Sequence, residues 1–161
     1  MTTDAPADLA TQPFSLQGLR RRSEFTNAAK NGVRLSGRLF SIQMVERNMA
    51  PRPAVREPAP VDAAPRFGFT VTKKVAGAVG RNRIRRRLRE ALRTGGALTG
   101  EAGLGARAGQ DYVIIARREA LNASFADIVS QMAEGFARLQ DRRAARGRRN
   151  KTERTGVPRD E

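Results

Sequence analysis

The sequence contains neither cysteine nor histidine, and no apolar run is long enough to span a membrane. Without cysteine there is no disulfide and no thiolate site. The lack of histidine removes the most common general base and metal ligand, which excludes serine–histidine catalysis and a structural zinc site. A membrane helix needs about 18 or more apolar residues, and the acidic N-terminus lacks the apolar segment of a secretory signal. We therefore expect a soluble, cytoplasmic protein.

Acidic residues are scarce relative to basic ones. The 161 residues include 31 Lys and Arg but only 16 Asp and Glu, which gives a net charge of +15 and a pI of ≈ 11.7. Such a balance indicates a polyanionic partner, most often a nucleic acid. An anionic membrane surface is disfavoured, because no basic helix here carries a bulky aromatic face.

The few carboxylates show no spacing typical of a metal site. Asp111, Glu119, Asp127 and Glu134 are scattered along the C-terminal half, whereas a protein-only nuclease needs clustered acids to hold its metal. We therefore expect no metal ligands, no organic cofactor and no catalytic residue in the protein itself.

Hydrophobic periodicity predicts seven helices and strands. They are a helix within 16–31, strands at 33–35, 39–46 and 66–72, a helix over 79–94, a strand at 112–116, and a helix that is capped by Asn122 or Ser124 and ends at Leu139. The α-β-β-β-α-β-α order predicts one α/β (α+β) domain over 16–139, a two-layer sandwich with a four-stranded mixed sheet.

Three further stretches are predicted to lie outside these elements. Five prolines within 48–65 are incompatible with a helix or a central strand, so this stretch is predicted to be a Pro/Ala-rich surface loop. Residues 1–15 and the basic residues 140–161 contain too little apolar surface for a core and are predicted to be disordered tails.

The helix over 79–94 separates its apolar and basic residues most clearly. At about 100° per residue, its apolar stripe lies roughly opposite an arginine-rich face. The stripe consists of Ile84, Leu88, Ala91 and Leu92, and the opposite face of Asn82, Arg85, Arg86, Arg89 and Arg93. Solvated faces usually mix charges, but 66–93 holds ten basic residues and one acid. Like charges at i,i+4 destabilise a helix, and a bound anion offsets that repulsion. Since the guanidinium fork suits phosphate oxygens, this face is predicted to bind phosphate.

Residues 67–89 resemble the signature of the bacterial ribonuclease P protein subunit. They read Phe-Gly-Phe-Thr-Val-Thr-Lys-Lys-Val-Ala-Gly-Ala-Val-Gly-Arg-Asn-Arg-Ile-Arg-Arg-Arg-Leu-Arg: a strand, a Lys-Lys pair, a glycine-containing turn and an Arg-Asn-Arg helix. The resemblance extends to Arg22-Ser-Glu-Phe25, to Gly37-Arg-Leu-Phe40 and to 111–117, and covers roughly residues 16–139.

This resemblance implies a four-stranded sheet flanked by helices, with a left-handed βαβ crossover that departs from the usual handedness. It also implies that an RNA subunit is the catalyst and that Mg²⁺ is held mainly by RNA. The protein would bind the catalytic RNA and the 5′ leader of precursor tRNA, and so support endonucleolytic removal of the leader to give the mature tRNA 5′ end.

The resemblance implies two sets of site residues. Those facing the catalytic RNA would be Arg81, Asn82, Arg83, Arg85, Arg86 and Arg89. Those lining a cleft for the precursor-tRNA leader would be Phe25, Ser41, Gln43, Thr70, Thr72, Lys74 and Tyr112. Ala29 and Gln43 stand where the family often has aromatics, so leader contacts here would depend more on charge and on the two aromatics of the cleft set.

Two alternatives remain open at this point. Phe25 and Tyr112 either stack on leader bases or pack in the core. A non-enzymatic RNA-binding protein of ribosomal type would share the composition, although it would not need an Arg-Asn-Arg helix beside a polar sheet cleft.

Overall fold

The computed structural model describes residues 17–47, 64–94, 106–107 and 109–154. The elements in chain order are strand β1 (Gln17–Gly18), helix α1 (Arg22–Asn31), strands β2 (Val33–Ser36), β3 (Phe40–Glu46) and β4 (Arg66–Thr70), helix α2 (Ala78–Thr94), strand β5 (Gln110–Ala116), a 3₁₀ turn (Arg118–Leu121) and helix α3 (Phe125–Arg154). The predicted tail 1–15 and residues 48–63 of the predicted loop lie outside the described residues.

The strands form one mixed sheet in the order β1-β4-β5-β3-β2. β4 and β5 are parallel neighbours, and α2 connects them, so the βαβ unit is present. β3 is antiparallel to both β5 and β2. Among the described strands β1 and β2 are therefore the edges, and β4, β5 and β3 lie inside the sheet.

Helices cover both faces of the sheet. α2 and α3 pack on one face of the sheet. Ile84 and Leu88 of α2 and Met132 and Phe136 of α3 form the main core there, together with strand residues such as Ile42. α1 lies on the opposite face, called the α1 face below, over a smaller apolar cluster of Leu19, Ala28, Val45 and Val113.

The amphipathic pattern predicted for α2 is confirmed. Ile84, Leu88, Ala91 and Leu92 are all at most 1% exposed. Because a helix repeats every 3.6 residues, burying this stripe turns the arginines between its members outward.

Three predictions of the architecture are wrong. The sheet has five described strands, because β1, only two residues long, adds to the edge of β4. The packing has helices on both faces and is not a two-layer sandwich. α3 continues to Arg154 and does not end at Leu139, so residues 140–154 are helical and not disordered. The handedness of the crossover stays a prediction.

In the part of the chain that the structure describes, no helix combines the length and hydropathy of a membrane span.

Candidate RNA-binding surfaces

The first candidate surface is the outer face of α2. Asn82, Arg83, Arg86 and Arg89 are exposed and Arg85 is half-buried. Within the described residues, none of the arginines at 83, 85, 86 and 89 forms an ion pair with an acid. These four unpaired guanidinium groups and Asn82 form what we call the basic face, and each guanidinium offers a planar donor fork suited to phosphate oxygens.

Two arginines of α2 have structural contacts instead. Arg87 donates to the carbonyl oxygens of Ala120, Leu121 and Ala123, which ties α2 to the 3₁₀ turn. Arg81 is half-buried, and its Nη1 donates to the carbonyl oxygen of Ala76 at 3.0 Å, close to the helix start. No pattern in the sequence indicated the role of Arg87, because its acceptors lie more than thirty residues away.

The second candidate surface is the α1 face of the sheet. Register pairing aligns two rows of residues across β4, β5, β3 and β2 on this face: Gly68, Val113, Gln43 and Arg34 in one, and Thr70, Ile115, Ser41 and Ser36 in the other. The predicted cleft residues Ser41, Gln43 and Thr70 therefore do share one face, as their alternation indicated.

Ser41 and Gln43 are nevertheless buried, at 1% and 7% exposure. The pattern predicted a half-buried strand, but β3 is internal to the sheet and both of its faces are covered. Arg117, which follows β5, donates from Nη2 to Ser41 Oγ at 3.3 Å. Thr70 and Ile115 are half-buried and Ser36 is exposed, so this row presents these three residues to a ligand, with the exposed Arg117 beside them.

Phe25 occupies the boundary between the two surfaces. Its ring is half-buried against Gly68, where an added Cβ would lie 2.6 Å from Phe25 Cε1, so only glycine permits this approach. The same ring lines a hollow of about 170 Å³ together with Arg85, Arg89 and the β4 residue Phe69. Arg89 also stacks over the Phe69 ring, 5.7 Å from its centroid. The structure thus joins Phe25 to the basic face.

Tyr112 does not belong to the cleft, and its prediction as a cleft residue is wrong. It points to the α2–α3 side of the sheet, is fully buried, and stacks on Phe67 with ring centroids 5.4 Å apart. Its hydroxyl donates to Gln110 Oε1 at 2.5 Å and accepts from the Arg107 backbone N–H at 3.0 Å. Burial raises the pKa of Tyr112 above its ordinary value.

Thr72 and Lys74 lie beyond the end of β4, in the connection to α2, and both are exposed. The carbonyl oxygen of Lys74 accepts from Arg118 Nη2 at 3.4 Å, which brings Arg118 to this connection. Arg117 and Arg118 thus add two cations near Ser41 and Lys74 that were not predicted from the sequence. The available signal was their position directly after the buried strand β5.

A charged network fixes α1 to the sheet at the other end of the α1 face. Arg66 donates from Nε and Nη2 to the two carboxylate oxygens of Asp111, at 2.8 and 2.6 Å, and from Nη1 to Glu24 Oε1 at 2.7 Å. The Glu24 carboxylate also accepts from the backbone N–H groups of Arg21 and Arg20. The Arg21 N–H bond is the main cause that lowers the pKa of Glu24, with smaller contributions from the Arg20 N–H and the Arg66 charge. Glu24, which directly precedes Phe25, is therefore fixed in position by Arg66 and by the two backbone N–H groups.

The described residues do not form a protein-held metal site. Within them, no three carboxylates come together in a group that could ligate an ion. Asp111, the one buried acid among the described residues, already accepts two hydrogen bonds from the guanidinium group of Arg66.

The sequence matches the family model described as Ribonuclease P over residues 15–140. The ribonuclease P protein component of Brucella suis is 40% identical over 136 residues, covering 84% of this chain and 87% of that protein. The corresponding protein of Bartonella quintana is 39% identical over 115 residues, covering 71% and 77%.

Two solved structures share the fold. The RNase P protein from Thermotoga maritima superposes with a TM-score of 0.56 at 22% identity, covering 76% of this chain and 96% of that one. The RNase P protein of Staphylococcus aureus gives 0.55 at 20% identity, covering 78% and 98%.

Proposed function

Because the chain belongs to the ribonuclease P protein family, we propose a division of its surface: the basic face of α2 binds the catalytic RNA, and the α1 face of the sheet binds the 5′ leader of precursor tRNA. The chain is the protein component of the tRNA-processing endoribonuclease, a ribonucleoprotein. Family membership removes the ribosomal-type alternative.

The observation that carries the proposal is the concentration of unpaired arginine on one helix face. Four guanidinium groups without acidic partners among the described residues project from α2. Two of them, on Arg85 and Arg89, line the same hollow as the Phe25 ring. A nucleotide strand needs phosphate-binding cations beside an aromatic surface for its bases, and this hollow supplies both.

Chemistry is expected to reside in the RNA. The described carboxylates form no metal cluster, so we expect Mg²⁺ to be held mainly by RNA phosphates, with no organic cofactor. The role of the chain is then to bind and orient two RNA strands. A ribonucleoprotein that processes tRNA and has no membrane partner is expected in the cytoplasm.

Replacing Arg85, Arg86 or Arg89 singly with Ala is expected to weaken binding to the catalytic RNA and leave the free energy of unfolding nearly unchanged. Each variant should lower the slope of log affinity against log salt by roughly one unit for each phosphate that its side chain no longer binds. Affinities at several salt concentrations measure this effect.

Arg87→Ala is the matched control, since it removes the same charge from the same helix. It should instead destabilise the fold by roughly 1–3 kcal/mol, because three backbone carbonyls lose their donor. Normal catalytic-RNA binding by all three of the other variants would refute the assignment of the basic face.

Phe25→Leu is expected to weaken binding of leader-bearing precursor tRNA to the holoenzyme by roughly 1–3 kcal/mol, the usual contribution of one base–aromatic stack. Leucine keeps the apolar contact with Leu19 and Gly68 but offers no flat ring. Equilibrium binding of precursor and mature tRNA should show a loss for the precursor alone. Equal affinity of the variant and the original protein for the precursor would assign Phe25 to packing only.

A further inference from the structure

The last fifteen residues of α3, 140–154, extend past the core and are called the C-terminal extension. Among the residues of α3 up to 151, whose burial the structure describes, Leu139 is the last that is fully buried. Beyond it the segment holds seven Lys and Arg and two Asp and Glu, and its only aliphatic side chains are two alanines. Burial of an apolar stripe therefore does not explain why this segment is helical.

Gln140, the first residue of the extension, donates from Nε2 to Gln110 Oε1 and to the Tyr112 hydroxyl on β5. Two arginines then hold the base of the extension against the edge of the sheet. Arg142 Nη1 donates to the carbonyl oxygen of Arg34 at 2.7 Å, and so satisfies an outward-facing acceptor of the edge strand β2. Arg143 forms an ion pair with Glu46 at the end of β3. The direction of the extension is thus fixed by the fold.

Farther along the extension, two arginines carry a charge that no acid among the described residues pairs with. Arg146 and Arg149 are exposed, lie on one side of the helix at i,i+3, and have no acidic partner among the described residues. Arg146 also lines an open groove of about 510 Å³ between the extension, the end of α1 and β3. Like charges at this spacing destabilise an isolated helix, and a phosphate backbone removes the repulsion.

We propose that the C-terminal extension, through Arg146 and Arg149, is a second phosphate-binding surface that docks on the catalytic RNA at a place separate from the one α2 contacts. The proposal rests on the proposed function, since it takes the same RNA as partner. A membrane is a poor partner because the extension has no bulky apolar or aromatic side chain to insert.

The position of the extension favours the large RNA over the leader. The hollow of Phe25, Arg85 and Arg89 opens at β1 and β4, whereas the extension is held at β3 and β2. From β4 to β2 there are three strand spacings, roughly 14 Å. A leader strand in the first hollow does not need the second surface, but a folded RNA offers phosphates at both places.

Arg146→Gln and Arg149→Gln, alone and together, test the extension, with Arg138→Gln as the matched control. Arg138 is exposed on the same helix, but its charge is already paired with Glu134. The double variant should lower the salt slope of catalytic-RNA binding by roughly two units and raise its Kd about tenfold, while Arg138→Gln changes neither appreciably. Helix content and unfolding should stay as in the original protein.

A second pair of variants separates helical geometry from charge, since neither changes any charge. A Cβ at Gly147 meets no atom within 4 Å, so Gly147→Ala fits without strain and favours the helix. Gly147→Pro breaks the helix between Arg146 and Arg149, beyond the contacts at its base. We expect Ala to retain or tighten catalytic-RNA binding and Pro to weaken it at least to the level of the single Arg149→Gln variant.

The outcomes distinguish this inference from the function on which it rests. Arg85→Ala together with the double glutamine variant should show additive effects on affinity, because sites this far apart act independently. Normal RNA binding by the extension variants, alongside weakened binding by Arg85→Ala, would overturn the second surface alone. Normal catalytic-RNA binding but weaker precursor binding to the holoenzyme would also overturn it, because the extension would then face precursor tRNA.

Discussion

Arg66→Met is expected to lower the free energy of unfolding by roughly 3 kcal/mol, a large part of the 5–15 kcal/mol that typically stabilises a domain. The Asp111 side chain is only 4% exposed, and Arg66 supplies both of its close hydrogen bonds. Without that fork, Arg47 is the one cation left beside the buried carboxylate in the described part of the chain, with its Nε 3.4 Å from Oδ1. Denaturant unfolding of the variant and the original protein measures the difference.

Asp111→Asn should cost less than Arg66→Met. The Arg66 side chain is 25% exposed and keeps its contact with Glu24, so the charge it retains is partly solvated. Arg138→Gln serves as the control for breaking an ion pair at the surface, where the expected change is at most about 1 kcal/mol. If Arg66→Met unfolded at the same denaturant concentration as the control, the network would not stabilise the fold.

The same network links stability to the proposed leader site. Arg66 holds Glu24, which precedes Phe25 on α1 and also accepts the backbone N–H groups at the helix start. Removal of Arg66 therefore frees the first turn of α1 and with it the ring at the edge of the hollow. Under conditions where the Arg66→Met variant is still folded, its affinity for precursor tRNA should accordingly fall by a larger factor than its affinity for the catalytic RNA.

Local patterns in the sequence were sufficient to predict the three helices, four of the five described strands and most of the basic face. The stripe of Ile84, Leu88 and Leu92 is a local periodicity, and it correctly assigned the neighbouring arginines to the outside. β1 was missed because two residues carry no periodicity. The C-terminal extension was missed because it has no apolar stripe, although arginine and alanine are strong helix formers and their density was an available signal.

The errors at the site arose from contacts that no local pattern records. The run from Tyr112 to Ala116 is apolar on both sides, because β5 is covered on both faces, so the run did not reveal which face Tyr112 takes. Arg66 and Asp111 are 45 positions apart and meet only because β4 and β5 pair in parallel. With Tyr112 assigned to the core, Phe25 is the one predicted cleft aromatic that the structure leaves at the cleft.

Tyr112→Ala is expected to cost roughly 3–5 kcal/mol of stability, the range for deleting a large buried aromatic. The variant removes the ring that stacks on Phe67 and meets Phe136 edge-on at 4.9 Å. Its binding to catalytic RNA, precursor and mature tRNA should weaken in proportion to the unfolded fraction, with no selective effect on the leader. A selective weakening of precursor binding by a fully folded Tyr112 variant would contradict the core assignment.

Tyr112→Phe isolates the hydroxyl and gives the same prediction a pH signature. Removing the hydroxyl takes one partner from Gln110 Oε1, from Gln140 Nε2 and from the Arg107 N–H, which should cost roughly 1–3 kcal/mol at neutral pH. Because burial raises the pKa of Tyr112 in the folded protein, the unfolded chain releases the phenol proton first. The stability linked to this group is thus constant below the unfolded pKa of about 10 and falls as the pH rises through the higher folded value.

Tyr112 is the only tyrosine of the chain, so phenolate absorbance follows this one group. The Tyr112→Phe variant should lack the part of the alkaline loss of stability that comes from this group. A Tyr112 that titrated near pH 10 in the folded protein would show a solvent-exposed ring and return it to the cleft.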